Sequence, residues 1–211
     1  ARAPKGRTEG PITVSGPNGA RVDVIAVVEN PEGPRGGPKG FIEASGYVSI
    51  EGHNHSRAVN GKGVQWRLIP DIGKTRHGMT PWPQTAASVT PGGNSPRLEY
   101  TVTLFTAGEV KVTAHLSPRN NVLPTEGLRY AVSFDDQRPQ VVDVIKATGA
   151  DDTAMNRQWE RNTSDNINVT TTVHKIDRPG VHTLKFWMVD PTVILQRLEI
   201  DTGGLKPSYL G

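Results

Sequence analysis

The sequence predicts an all-β protein: an antiparallel β-sandwich of jelly-roll type, preceded by a short N-terminal β-hairpin and a linker. Three observations carry this. Apolar residues recur at every second position in run after run, the period of a strand with one face in a core. The 23 glycines and 17 prolines fall largely between those runs, as in strands joined by ordered turns. The C-terminal runs read as a hairpin, which is marginal alone in water and needs further strands to cover its apolar face.

Taken in order, residues 1–10 are basic, with Pro and Gly, and read as loose. Ile12 to Val14 and Val22 to Val28 form a hairpin across the Gly16-Pro17-Asn18-Gly19 turn. Asn30 to Gly40 is a linker by composition, so the chain divides into 1–40 and a main domain, 41–211. Phe41 to Glu51 opens that domain, and a polar loop follows from His53 to Gly63. Val64, Trp66 and Leu68 mark one strand face. Pro70 to Pro96 has no sustained period and reads as a long ordered loop carrying Trp82.

Leu98 to Leu104 and Val110 to Leu116 alternate around a Thr106-Ala107-Gly108 turn, and Leu128 to Phe134 and Val141 to Ile145 give two more strands. Lys146 to Arg157 is irregular, and Trp159 to Asn168 is either a short helix or a loop. Val169, Thr171 and Val173 mark a strand before the Pro179-Gly180 turn. In the last hairpin Leu184, Phe186 and Met188 share one face. Leu198 and Ile200 oppose Arg197, Glu199 and Asp201, while Val193, Ile194 and Leu195 look buried on both sides. The count is about nine strands in the main domain, enough for two stacked sheets.

Composition narrows function. The formal charge of +3 is spread without a basic block, so nucleic acid is not implied. No apolar run approaches the roughly 18 residues of a membrane span. There is no cysteine, and 211 residues can build a stable core without crosslinks. The chain starts at Ala1 instead of Met, which reads as a piece of something longer.

Several words of the sequence carry a resemblance: GYVSIEG (46–52), IPDIGKT (69–75), PRLEYTVTLFTAGEV (96–110), GLRYAVSFDD (127–136), FWMVDP (186–191), VILQRLEID (193–201) and GGLKPSYLG (203–211). Together they resemble the C-terminal β-sandwich domain of glycoside hydrolase family 115, the xylan α-1,2-glucuronidases. The resemblance implies a non-catalytic module, whose catalytic partners are other domains of a secreted or periplasmic parent enzyme. It also implies that the N-terminal hairpin is similar to the last strands of a preceding domain. Two departures matter: a SIEAEHY-like word is here Ser49 to His55, SIEGHNH, without the second acidic residue, and a GRTLSG-like word is here Gly73 to Gly78, GKTRHG.

Sandwich modules of this kind that bind sugars can hold a structural calcium between carboxylates at the ends of the first and last strands, positions taken here by Glu51 and Asp201. No other cofactor is implied. His53 and His55 lack a third metal ligand in sequence, and Asp135-Asp136 reads as a turn and not as a catalytic carboxylate pair. For glycan contact, flat aromatic faces stack on pyranose rings and polar groups fix hydroxyls or a uronic carboxylate. Trp82 with Arg76 and His77, and Trp159 with Arg161 and Asn162, have that make-up; Trp66 and Trp187 sit in strands and pack. Trp82 could equally anchor its loop.

The expected function is therefore a carbohydrate-binding accessory module of an α-glucuronidase-like enzyme, with a plant polysaccharide such as glucuronoxylan, or an acidic oligosaccharide, as partner. A module that builds the parent's homodimer without binding glycan is the alternative, and a stand-alone polysaccharide hydrolase or lyase is a further one.

Overall fold

The computed structural model describes residues 4–34, 36–61, 63–118, 120–122, 127–148 and 152–207, without side-chain detail at 152–156, 158 and 159. The chain forms two compact units, 1–37 and 38–211.

In the first unit β1 (Gly6–Ser15) pairs antiparallel with β2 (Arg21–Asn30). The register puts Ile12 beside Val24 and Val14 beside Val22 on one face, and Thr13 beside Asp23 and Arg7 beside Glu29 on the other. Asn18 takes φ +59 in the turn, a conformation asparagine tolerates. A two-stranded ribbon has no second layer, so its apolar face has nothing within the unit to bury against.

The second unit is a sandwich. Its strands are β3 (Phe41–Ile42), β4 (Tyr47–Glu51), β5 (Arg57–Val59), β6 (Gln65–Pro70), β7 (His77–Trp82), β8 (Arg97–Leu104), β9 (Gly108–Leu116), β10 (Arg129–Phe134), β11 (Gln140–Asp143), β12 (Asn168–Ile176), β13 (Gly180–Met188) and β14 (Leu195–Asp201). One sheet runs β11-β10-β13-β8, with β3 and β5 sharing the outer edge of β8. The other runs β12-β9-β14-β7-β6, with β4 also on β14. Leu98, Tyr100, Val102, Leu104, Phe134, Leu184 and Phe186 face Val110, Val112, Ala114, Leu198 and Ile200 across one continuous core. Tyr130 stacks on Phe186 with centroids 4.9 Å apart, and Trp66 meets the same ring edge-on. Among the described residues no helix is long and apolar enough to cross a membrane.

Three expectations are corrected. The stretch from Pro70 to Pro96 is not all loop: β7 lies within it, paired to β6 and, through Met79 and Leu195, to β14. Pro81 inside β7 hides the strand in sequence, and it is accommodated because β14 pairs only at Met79. β5 lies within the stretch read as polar loop. The described residues of Lys146 to Arg157 are largely helical and not irregular: α1 (Val144–Ala147) and α2 (Asp152–Asp165) reach into it, with Asp143 capping α1 by accepting from the backbone N–H of Ile145 and Lys146. On β12 the inward residues are Thr170, Thr172, His174 and Ile176, whereas Val169 and Val173 face out. Pairing of Thr172 with Val112 and of Thr170 with Ala114 fixes that side, and the polar groups are bonded there: Tyr130 Oη to Thr170 at 2.5 Å, and His174 to Thr172 at 2.8 Å and Gln140 at 3.2 Å.

Two buried carboxylates tie the connections down. Asp190 accepts from the Arg129 backbone N–H (2.7 Å), the Arg129 guanidinium (3.0 and 3.1 Å) and Ser88 Oγ (2.6 Å), pinning the loop after β7. Glu43 accepts from the backbone N–H of Phe105 and Thr106 and from the hydroxyls of Thr106 and Thr202. One carboxylate thus holds the β8–β9 turn, the start of the domain and the end of β14 together. Burial pushes its pKa up, but the four donors together outweigh burial and leave it below the ordinary value of 4.5.

Glu43→Ala strands those donors and is expected to cost roughly 2–4 kcal/mol in chemical denaturation. The pH dependence has two windows. Burial lowers His174 from 6.5 to about 4, so the unfolded chain binds the extra proton between those values. Stability is expected to fall as pH drops through that window, by up to about 1.4 kcal/mol per pH unit, and His174→Asn to flatten the slope. The Glu43 contribution is present above about pH 4.5 and lost as pH falls through its lower native value.

Candidate functional site

Alternation places Trp66 against the core, and therefore turns Gln65 and Arg67 outward. The β6–β7 register pairs Gln65 with Trp82 and Arg67 with Thr80, so Trp82 and Arg67 are diagonal neighbours on the outer surface. The Arg67 guanidinium carbon lies 4.9 Å from the Trp82 ring centroid, and the residue stays 43% exposed. With Asn60, Val64 and Pro83 they line an open groove of about 310 Å³. Trp82 is the last residue of a strand and not part of an irregular loop, which is why its orientation is fixed from β6. Nothing in the sequence singles out Arg67 and Gln65 beyond their alternation with Trp66, which marks them as outward-facing.

Arg76 and His77 do not join Trp82. His77 opens β7 opposite Pro70, five positions from Trp82, roughly 17 Å along the strand. Arg76 is exposed in the turn before it, at φ +87. The His77 ring instead meets His53 edge-on at 4.9 Å. Trp159 lies in α2, and its side chain is outside the described residues. Arg161 and Asn162 diverge on that helix, Arg161 exposed and Asn162 buried.

A second polar array crosses the same sheet. Glu51, Arg197 and His115 stand side by side on β4, β14 and β9, followed by Ser49, Glu199 and Thr113, then Tyr47, Asp201 and Lys111. Glu199 lies 3.1 Å from Arg197 and 3.0 Å from His115. The contact with His115 holds its carboxyl below the ordinary range against an opposing desolvation, and the charges of Arg197 and Lys74 add to this. Glu51 Oε2 and the Nδ1 atoms of His53 and His77 are buried without hydrogen-bond partners.

Calcium does not fit the expected pair. Glu51 and Asp201 are four positions apart on the β4–β14 ladder, roughly 13 Å, too far to share an ion. Glu51 is the register partner of Arg197, and Asp201 Oδ1 accepts from the backbone N–H of Gly203 and Leu205. No group of three or more His, Asp or Glu side chains among the described residues could hold a metal. Asp135 is a turn residue, at φ +47, with its carboxylate on the Thr183 backbone N–H and His182.

No curated protein sequence matches the chain. Among solved structures it is similar to BtGH115A, a family GH115 4-O-methyl-α-glucuronidase with specificity for decorated arabinogalactans (17% identity, TM-score 0.49); the match covers 69% of this chain and 17% of that one. It is also similar to the C-terminal CBM6 of the laminarinase LamC from Zobellia galactanivorans (9% identity, TM-score 0.47, 74% of this chain and 98% of that one). A third is a family 35 carbohydrate-binding module from Clostridium thermocellum (9% identity, TM-score 0.45, 73% and 96%). The family model for the glycosyl hydrolase family 115 C-terminal domain matches residues 40–211, and the chain belongs to that family.

Proposed function

We propose that this domain is a non-catalytic accessory module that contacts the polysaccharide substrate of a family 115 glycoside hydrolase through the Trp82 groove. The carrying observation is Trp82 itself: a large, half-exposed ring fixed at the end of β7, with Arg67 against it and amide side chains of Asn60 and Gln65 in reach of hydroxyls. A buried anchor would have left no such face. Stacking of a pyranose on the open part of the ring supplies the apolar contact, and the Arg67 cation favours a uronic carboxylate beside it. Glucuronoxylan and decorated arabinogalactan are the glycans to try first.

The buried and paired carboxylates support the absence of independent catalysis. Hydrolysis of a glycosidic bond uses one carboxyl as acid and a second as base or nucleophile. The carboxylates of Glu43 and Asp190 are consumed by backbone and side-chain donors, and Glu199, held ionised beside His115 and Arg197, cannot serve as the acid.

Affinity electrophoresis in glucuronoxylan and in arabinogalactan tests the proposal. Retardation by at least one of them is expected, and Trp82→Ala should weaken it by about 1 kcal/mol or more, roughly fivefold, while barely moving the melting temperature. Arg67→Ala should weaken the acidic glycan selectively. Undiminished retardation of Trp82→Ala would sink the platform, and concentration-dependent association without glycan retardation would favour the homodimer-building alternative.

A further inference from the structure

The outer surface of the β4–β14 pair carries a second groove, separate from the Trp82 contact. Its volume is about 860 Å³, in the range of small-molecule clefts. Tyr47, Ser49 and Glu199 form the floor, and Leu205, Lys206 and Pro207 form one wall.

The wall is built into the fold. After β14 the backbone N–H of Thr202 and of Gly204 both donate to Gly46 O, at 2.9 and 3.1 Å. Asp201 Oδ1 accepts from Gly203 and Leu205, and a Cβ at Gly204 would lie 1.9 Å from Ser45 O. Only glycine allows that crossing, which seats residues 205–207 beside the sheet.

The floor is chemically specific. Ser49 is the register partner of Glu199, and Tyr47, 37% exposed, stands one step along the same face. Arg197 and His115 stand 3.1 and 3.0 Å from the Glu199 carboxylate and favour its ionised form, leaving oxygen lone pairs to accept hydroxyl protons. A fixed carboxylate, a hydroxyl, a phenol ring and the apolar Leu205 and Pro207 suit a ligand with an apolar face and an edge of hydroxyl donors. Glu199 on the floor is offset by Lys206 in the wall, so the groove carries no excess positive charge to draw a carboxylate-bearing unit.

We propose that this groove is a second glycan subsite, taking neutral pyranose units while Trp82 takes the acidic, decorated ones. The ligand class rests on the glycan-binding reading above; the site does not share a residue with it.

The test is calorimetric titration and amide-shift mapping with a neutral xylo-oligosaccharide, using the whole chain. Tyr47→Ala and the groove-filling Ser49→Tyr both alter outward-facing residues, so each should melt like the wild type. Binding of the neutral probe is expected in Trp82→Ala, with shifts centred on Tyr47 and Ser49, and about fivefold or more weaker after either groove substitution. Neutral-probe binding lost with Trp82→Ala, or unmoved by both groove substitutions, would overturn the second subsite and leave the first. Retention of glucuronoxylan with no neutral-probe binding at millimolar concentration would do the same. Loss of all glycan binding in the wild type would overturn both, and neutral-probe binding confined to the groove, with Trp82→Ala unchanged on every glycan, would leave only the groove.

Discussion

β14 must satisfy three neighbours at once, and the shape of the sandwich follows from how it does so. On one side β9 runs beside it throughout; on the other, β7 pairs at Leu195 and β4 takes over from Arg197. The change of partner falls on a bulge at Gln196, where one extra residue interrupts the ladder. Its side chain is fully buried: the Lys74 backbone N–H donates to Oε1 at 2.9 Å, and Nε2 donates to Ser117 Oγ and Asn166 O. Gly73 is required beside it, because a Cβ there would come within 2.2 Å of the amide. The bulge sends β4 and β7 to different lengths of one strand, which separates the two outer grooves while keeping them on one sheet.

Most of the sandwich was legible because its central strands alternate cleanly. Leu98 to Leu104, Val110 to Leu116 and Leu184 to Met188 each face the core as their period predicts, and Val193 to Leu195 are buried on every side. The illegible strands are the ones whose reasons are not local. β3 and β5 have 2 and 3 residues and exist only as edges on β8, while β7 contains a proline and a single large core residue, Met79. The sequence of α2 has no apolar stripe to announce a helix. β12 misleads in another way: its valines are outside, and the threonines and His174 are inside because Tyr130, Gln140 and the β9 backbone supply partners for them.

The candidate sites divide along the same line. Trp82 could be named from its flanking prolines and polar company, but its true neighbour, Arg67, comes from across a ladder whose register no single strand encodes. Arg197 and Glu199 were visibly outward-facing, yet their association with His115, Ser49 and Tyr47 depends on which strands flank β14. Glu51 and Asp201 show the converse error: both do stand at strand ends, but at opposite ends of an antiparallel pair.

The Glu43 knot has a consequence for how such a domain can be joined to others. Glu43 is near the point where the chain joins the sandwich, and Thr202, 2.7 Å from its carboxylate, is where the last strand leaves it. Gly46 reinforces this by accepting from Thr202 and Gly204. The two ends of the fold are therefore adjacent, the arrangement of a cassette that can be spliced into a loop of a larger protein, or circularly permuted, without stretching either flank.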